Sequence, residues 1–132
     1  VTDPDNFAAV PMQKAEEFVE LFVDRFWFGC EADDPVTVHA FDRRANPFGA
    51  RINAIFSSDI GHFDVPDMLS PVPEAYELVE DELITEADFR DFTFANAVRL
   101  WGQQNPRFFD GTRVAKEAAA VLQGGAVRAA AE

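Results

Sequence analysis

The sequence predicts an α/β fold in which two neighbouring strands run parallel. Three observations carry that prediction. Two short apolar runs, residues 26–30 (FWFGC) and 51–57 (RINAIFS), have the length and the aromatic and β-branched content of buried strands. Between them, Asp34-Pro35 has the form of a helix start, with Asp34 as cap and Pro35 in the first helical position. Strand, helix, strand in that order is a βαβ unit, and its strands are parallel.

The remaining elements follow from period and punctuation. Residues 1–10 read as loop. A helix is expected from Pro11, with Ala15, Phe18, Val19, Phe22 and Phe26 on its inner face. The helix opened by Pro35 should bury Val36, Ala40 and Phe41 and stop by Asn46-Pro47, because a residue before proline disfavours helical geometry. After Asp59 comes a loop with Gly61, Pro66, Pro71 and Pro73, then a helix over residues 74–82. Thr85-Glu86-Ala87-Asp88 resembles a capping box. The helix it opens should turn Phe89, Phe92, Ala95 and Leu100 inward and end at Trp101-Gly102, with Gly102 as a left-handed cap. Residues 103–113 read as loop and 114–122 as an Ala-rich helix, closed by Gly124-Gly125 and an Ala tail. No internal repeat is present.

Two parallel strands do not make a stable sheet alone. Parallel sheets occur with both faces covered, and a two-stranded sheet leaves both edges unpaired. The 14 phenylalanines also call for a larger interior or an interface. Strands from elsewhere are therefore expected: from the rest of a longer parent chain, from another subunit, or from a swapped copy of this chain. The opening Val1-Thr2-Asp3-Pro4, with no initiator Met, reads as a fragment or a processed chain.

Composition narrows the partners. With 24 acids against 11 bases the formal net charge is -13, which repels phosphate backbones and anionic membranes. No apolar run approaches the roughly 18 residues of a membrane span, and no signal peptide is visible at the start. The one cysteine, Cys30, cannot form an intramolecular disulfide, which fits a reducing, cytoplasmic compartment.

In parallel α/β folds, functional side chains gather at the C-terminal ends of strands. The first such end presents Cys30, Glu31, Asp33 and Asp34; the second presents Ser57, Ser58 and Asp59, with His62 and Asp64 just beyond. A carboxylate there can bind a divalent metal and accept a proton from metal-bound water. The plainer alternative is that Ser-Asp at a strand end caps the loop that follows. Glu31 and Asp33 are candidate pocket residues, whereas capping accounts for Asp34.

The stretch Ile55-Phe56-Ser57-Ser58-Asp59-Ile60-Gly61-His62 resembles the eighth-strand motif of the amidohydrolase-related branch of the amidohydrolase superfamily. There a Ser-Asp closes the last barrel strand and a Pro-His or Gly-His pair follows. Residues 85–100 resemble that family's closing helix, and Asn105-Pro106-Arg107-Phe108-Phe109-Asp110-Gly111-Thr112 resembles the segment after it. The three matches keep their order over roughly residues 26–113. The resemblance implies a partial (β/α)8 TIM barrel, with strands seven and eight, the flanking helices and the C-terminal helices. On that division residues 1–113 are the C-terminal part of the barrel and 114–132 an added Ala-rich helix and tail. The implied activity is metal-assisted attack of water on C–N or C–O bonds, or non-oxidative decarboxylation, of a small-molecule substrate. The implied metal is divalent, commonly zinc. Asp59 takes the place of the metal ligand and proton acceptor, and His62 that of a pocket residue. The family's His-x-His pair and later metal-binding histidines have no counterpart, since the chain holds only His39 and His62. One carboxylate and one histidine fall short of the three protein ligands of catalytic zinc. The chain alone is therefore expected to be inactive and to work inside an oligomer or a longer barrel.

Other residues have plainer readings. His39, mid-helix, is a surface or packing residue, and Cys30 a buried structural thiol. Asn96 is a satisfied buried amide. Trp27 and Trp101 belong to core or interface, and Glu77, Glu80, Asp81 and Glu82 to a solvated helix face. A rival reading of the whole is a non-catalytic acidic subunit that completes or docks on a partner barrel. A cation-binding acidic module has only composition in its favour.

Overall fold

A computed structural model describes residues 10–129, with side chains as far as residue 124. Both expected strands form: β1 spans Trp27–Glu31 and β2 spans Asn53–Ser57. They pair in parallel, from Trp27 opposite Asn53 to Glu31 opposite Ser57. Their C-terminal ends are thus level, so the residues just beyond each strand emerge side by side.

The crossover between them differs from the expected helix. Asp34 does cap it, accepting the Val36 N–H at 2.8 Å. The segment Pro35–Ala40 is a 3-10 helix, however, and ends well before Asn46. Eclipsed 3-10 geometry changes which residues face inward. Thr37, Ala40 and Phe41 are buried, and Val36, expected inside, is 63% exposed. Phe48 and Gly49 then both take left-handed backbone, φ 59° and 66°, to turn the chain into β2. Asn46 holds this loop through its Nδ2, which donates to the carbonyls of His39 and Ala50.

Among the described residues four α-helices follow the sheet in sequence: α1 (Pro71–Glu80), α2 (Glu86–Arg90), α3 (Asn96–Gln104) and α4 (Ala115–Ala129). α1 begins at Pro71, three residues before the expected start, because Pro71 and Pro73 fit a first helical turn as well as a loop. Glu77, Glu80, Asp81 and Glu82 are exposed, as a solvated face should be. The Thr85 capping box is present: the hydroxyl accepts the Asp88 N–H, and the Asp88 carboxylate accepts the Thr85 N–H. α2 and α3 are joined through one wide π-helical stretch, Asp91–Ala95, so the chain stays helical from residue 86 to 104.

One core lies between the sheet and this long helix. Ala54 on β2 and Phe92 in the π-helical stretch are both fully buried, with Phe41, Ala75, Leu78 and Ile84 around them. Phe92 meets Phe56 edge-on at 5.7 Å and Phe41 at 6.3 Å. The Asn96 Nδ2 donates to the Ala54 carbonyl at 2.8 Å, tying helix to strand with a buried polar bond. A second, smaller core joins α3 to α4 through Ala95, Val98, Ala118 and Val121.

Two expected features of this region are corrected. Gly102 lies inside α3 and does not cap it. A Cβ there would stand 2.7 Å from a Leu122 methyl, so glycine lets α3 and α4 come close. Gly124-Gly125 do not end the last helix either, since α4 runs on to Ala129.

The other face of the sheet holds no fully buried residue. Trp27, Gly29 and Glu31 of β1 and Asn53, Ile55 and Ser57 of β2 belong to neither core. The first helix is also much shorter than its sequence pattern suggests. Its helical core is a single π-turn, Val19–Val23, with no buried residue. Phe18, Phe22 and Phe26 keep the expected helical spacing but stack on one another at 5.3 and 5.0 Å. They do so at the surface: Phe18 and Phe26 are 49% and 51% exposed. The expected loop over residues 1–10 lies almost wholly outside the described residues.

Replacing Phe92 by Ala removes a fully buried ring and should lower stability by about 3–5 kcal/mol. Val36→Ala, on the solvent side of the 3-10 helix, should change it by no more than about 0.5 kcal/mol. Urea unfolding followed by circular dichroism measures both, and comparable losses would contradict this assignment of the core.

Candidate functional site

The level strand ends bring together residues far apart in sequence. Glu31 ends β1 and Asp33 follows it; Ser58 and Asp59 follow β2. With Ala32, Asp64, Val65 and Glu74 they line a cleft of about 110 Å³, room for a few waters or a hydrated ion. Three of the four site residues read from the sequence, Glu31, Asp33 and Asp59, therefore share one cleft. Glu74 was not expected there. It reaches the cleft from the first turn of α1.

Asp59 has left-handed backbone, φ 49°, and Asp is among the residues that tolerate this best. The chain turns sharply there, and the His62 N–H donates to the Asp59 carbonyl at 3.0 Å. This turn brings the His62 ring back: its Nδ1 stands 3.2 Å from Asp59 Oδ2 and 3.9 Å from Asp64 Oδ1. His62 is largely exposed and sits at the mouth of the cleft, outside its lining.

The division of labour between Ser58 and Asp59 bears on the capping alternative. Ser58 Oγ accepts the Ile60 N–H at 3.4 Å, so the serine closes the local turn. Among the described residues no backbone N–H donates to the Asp59 carboxylate, whose contact is the imidazole of His62. Among the described residues Oδ1 has no hydrogen-bond partner. A carboxylate–imidazole pair of this kind can orient the ring, hold a proton between the two groups, or present one member to a cation.

Within the described residues no three His, Cys, Asp or Glu side chains converge as a metal site. The carboxylates of the cleft line its walls without meeting at one point.

Cys30 lies below this cleft, half-buried on β1, with its thiol directed at the Phe28 carbonyl at 3.6 Å. Burial pushes its pKa up, the nearby Thr37 hydroxyl lowers it, and the Asp34 charge raises it further. A thiol held protonated is a poor nucleophile, which agrees with a structural role. His39 is exposed on the 3-10 helix, away from the cleft.

A second polar cluster escaped the sequence reading. Arg51, just before β2, reaches Asp88 at 2.6 Å and Asp91 at 3.2 Å. Asp91 also meets Arg99 at 3.2 Å, and Arg99 donates to Asn96 Oδ1 at 2.7 Å. No spacing rule links Arg51 to Asp88; the pairing exists because the long helix crosses the start of β2. Asn96, expected as a satisfied buried amide, bonds the Ala54 carbonyl and Arg99.

No protein-family model matches the chain, and neither a curated protein nor a solved structure matches it. No helix of the described residues is long and apolar enough to cross a membrane.

The raised thiol pKa has a direct consequence. Alkylation of Cys30 by iodoacetamide should be slow at pH 7 and still rising above pH 9, the ordinary thiol value. A rate that levels off below pH 8 would mark an activated thiolate and contradict the structural role.

Proposed function

We propose that this chain is the C-terminal portion of a metal-dependent hydrolase of the amidohydrolase type. On this reading β1 and β2 are the last two strands of a (β/α)8 barrel completed by strands from the parent chain or another subunit. The reaction is metal-assisted attack of water on a C–N or C–O bond of a small molecule, or non-oxidative decarboxylation. Asp59 is the metal ligand and proton acceptor, and His62, Glu31 and Asp33 face the substrate side.

One observation carries the reading. Asp59 follows the second of two parallel strands, with a carboxylate that no backbone amide caps and an imidazole 3.2 Å away. In a parallel barrel the open ends of the strands are where chemistry is done. That the other sheet face contributes to neither core points the same way, because parallel sheets are stable only when both faces are packed.

The donor set present fits part of such a metal site. Asp59 offers Oδ1 to a cation, and His62 stands close enough to share a proton with Oδ2. A zinc-type ion would lower the pKa of a bound water and supply a nucleophile at neutral pH. The remaining ligands would come from the completing strands.

In the assembled protein, Asp59→Asn should remove most of the bound metal, about one equivalent per chain in the wild type. Hydrolytic activity should fall by roughly 100-fold or more, the scale of losing a general base. Metal analysis by mass spectrometry together with activity assays measures both. Unchanged metal content and activity would refute the assignment.

A further inference from the structure

At the opposite end of β2 from Asp59 there is a cleft of about 190 Å³. Three arginines line it, Arg43, Arg51 and Arg99, with Asp91, Asn53, Asn96 and Phe41. Five strand residues separate the two ends, about 17 Å at the usual rise, so this is a site apart from the acidic one.

The charge here runs against the rest of the molecule. The chain carries -13 overall, yet three of its 11 basic residues face this one cleft. One carboxylate, Asp91, lines it with them; Asp88 pairs with Arg51 from outside the lining. Counting both acids, the cluster keeps a surplus positive charge.

The arginines also keep unused donors. Arg51 spends Nη2 on Asp88 and Asp91, and Arg99 spends Nη1 on Asp91 and Asn96. Arg43 spends Nη1 on the Gly49 carbonyl. Among the described residues, Nε and the second Nη of each have no partner. A guanidinium edge of this shape matches two oxygens of a phosphate group.

One backbone irregularity lies in the cleft and another beside it. The π-helical stretch Asp91–Ala95 interrupts the long helix where it contributes Asp91 and Asn96 to the cleft. π-Bulges of this kind concentrate at functional sites. Phe48, a bulky residue with φ 59°, strains the loop that Arg43 closes through Gly49. Left-handed backbone at such a residue is strained, and strain of this kind clusters at binding sites.

We propose that this cleft binds the phosphate group of a small molecule, gripped by the free edges of Arg43, Arg51 and Arg99. Asp91 fixes the orientation of Arg51 and Arg99, and Arg43 provides a guanidinium held by no carboxylate. A phosphate monoester carries about -1.5 to -2 charges at pH 7, which suits the surplus. The cleft has space for the group and a small organic part.

Titration of inorganic phosphate into the full chain at low ionic strength tests this, read by calorimetry and by NMR of the arginine Nε–H signals. Saturable binding is expected, with shifts of the Arg43 and Arg99 signals. Arg43→Gln, which leaves the Asp88–Arg51–Asp91–Arg99 pairs intact, should weaken binding at least tenfold. Arg107→Gln, at an exposed arginine paired with Asp110, should leave it unchanged. The absence of saturable binding, wild-type affinity in Arg43→Gln, or an equal loss in both variants would overturn the proposal.

Discussion

The parallel pairing of β1 with β2 is the constraint from which the rest follows. A parallel pair cannot be joined by a tight turn, so the chain must cross over, and here it does so through a 3-10 helix and a strained loop. The in-register pairing sets the two strand ends level. That alone makes neighbours of Glu31, Asp33, Ser58 and Asp59. The helix from residue 86 to 104 then covers one face, with Phe92 against Ala54 and Phe56 and with Asn96 bonded to the Ala54 carbonyl. The other face, including Ile55 and Trp27, is only partly covered and belongs to neither core. A sheet of this kind is half of a sandwich, and the proposed barrel is one way of supplying the other half.

The two ends of β2 carry opposite chemistry. The C-terminal end is lined by carboxylates, those of Glu31, Asp33, Asp59, Asp64 and Glu74. The N-terminal end holds arginines threaded between two aspartates. Such partly buried ion pairs gain little net stability, because desolvation offsets much of the attraction. Their consequence is geometric: Arg51, Asp91, Arg99 and Asn96 fix the crossing of helix over strand.

Much of the fold was legible in the sequence because its signals are local. Strand runs of five residues, the Asp34 cap and the Thr85 capping box all depend on neighbours within a few positions. Asn96 was readable as a satisfied buried amide for the same reason, a polar residue in an apolar helical stretch. What failed to read depends on distant contacts. The pattern at Phe18, Phe22 and Phe26 promised a buried helix face, but a face is buried only if something packs on it. Gly102 looked like a cap because the approach of Leu122, twenty residues later, is invisible to a local rule. At the site, Glu31, Asp33 and Asp59 could be placed by their position after strands. Glu74 and the arginine cluster could not, since their neighbours are set by helix placement alone.

The proposed role of Asp59 is that of a ligand in a metal centre completed by other strands. Anomalous scattering at the zinc edge, from crystals of the assembled protein grown with zinc, tests this most directly. The account predicts a metal peak about 2.0–2.2 Å from an oxygen of the Asp59 carboxylate, with the remaining ligands donated from outside this chain. A bound metal that does not touch Asp59, or a complete barrel whose strand-end site holds none, would contradict it.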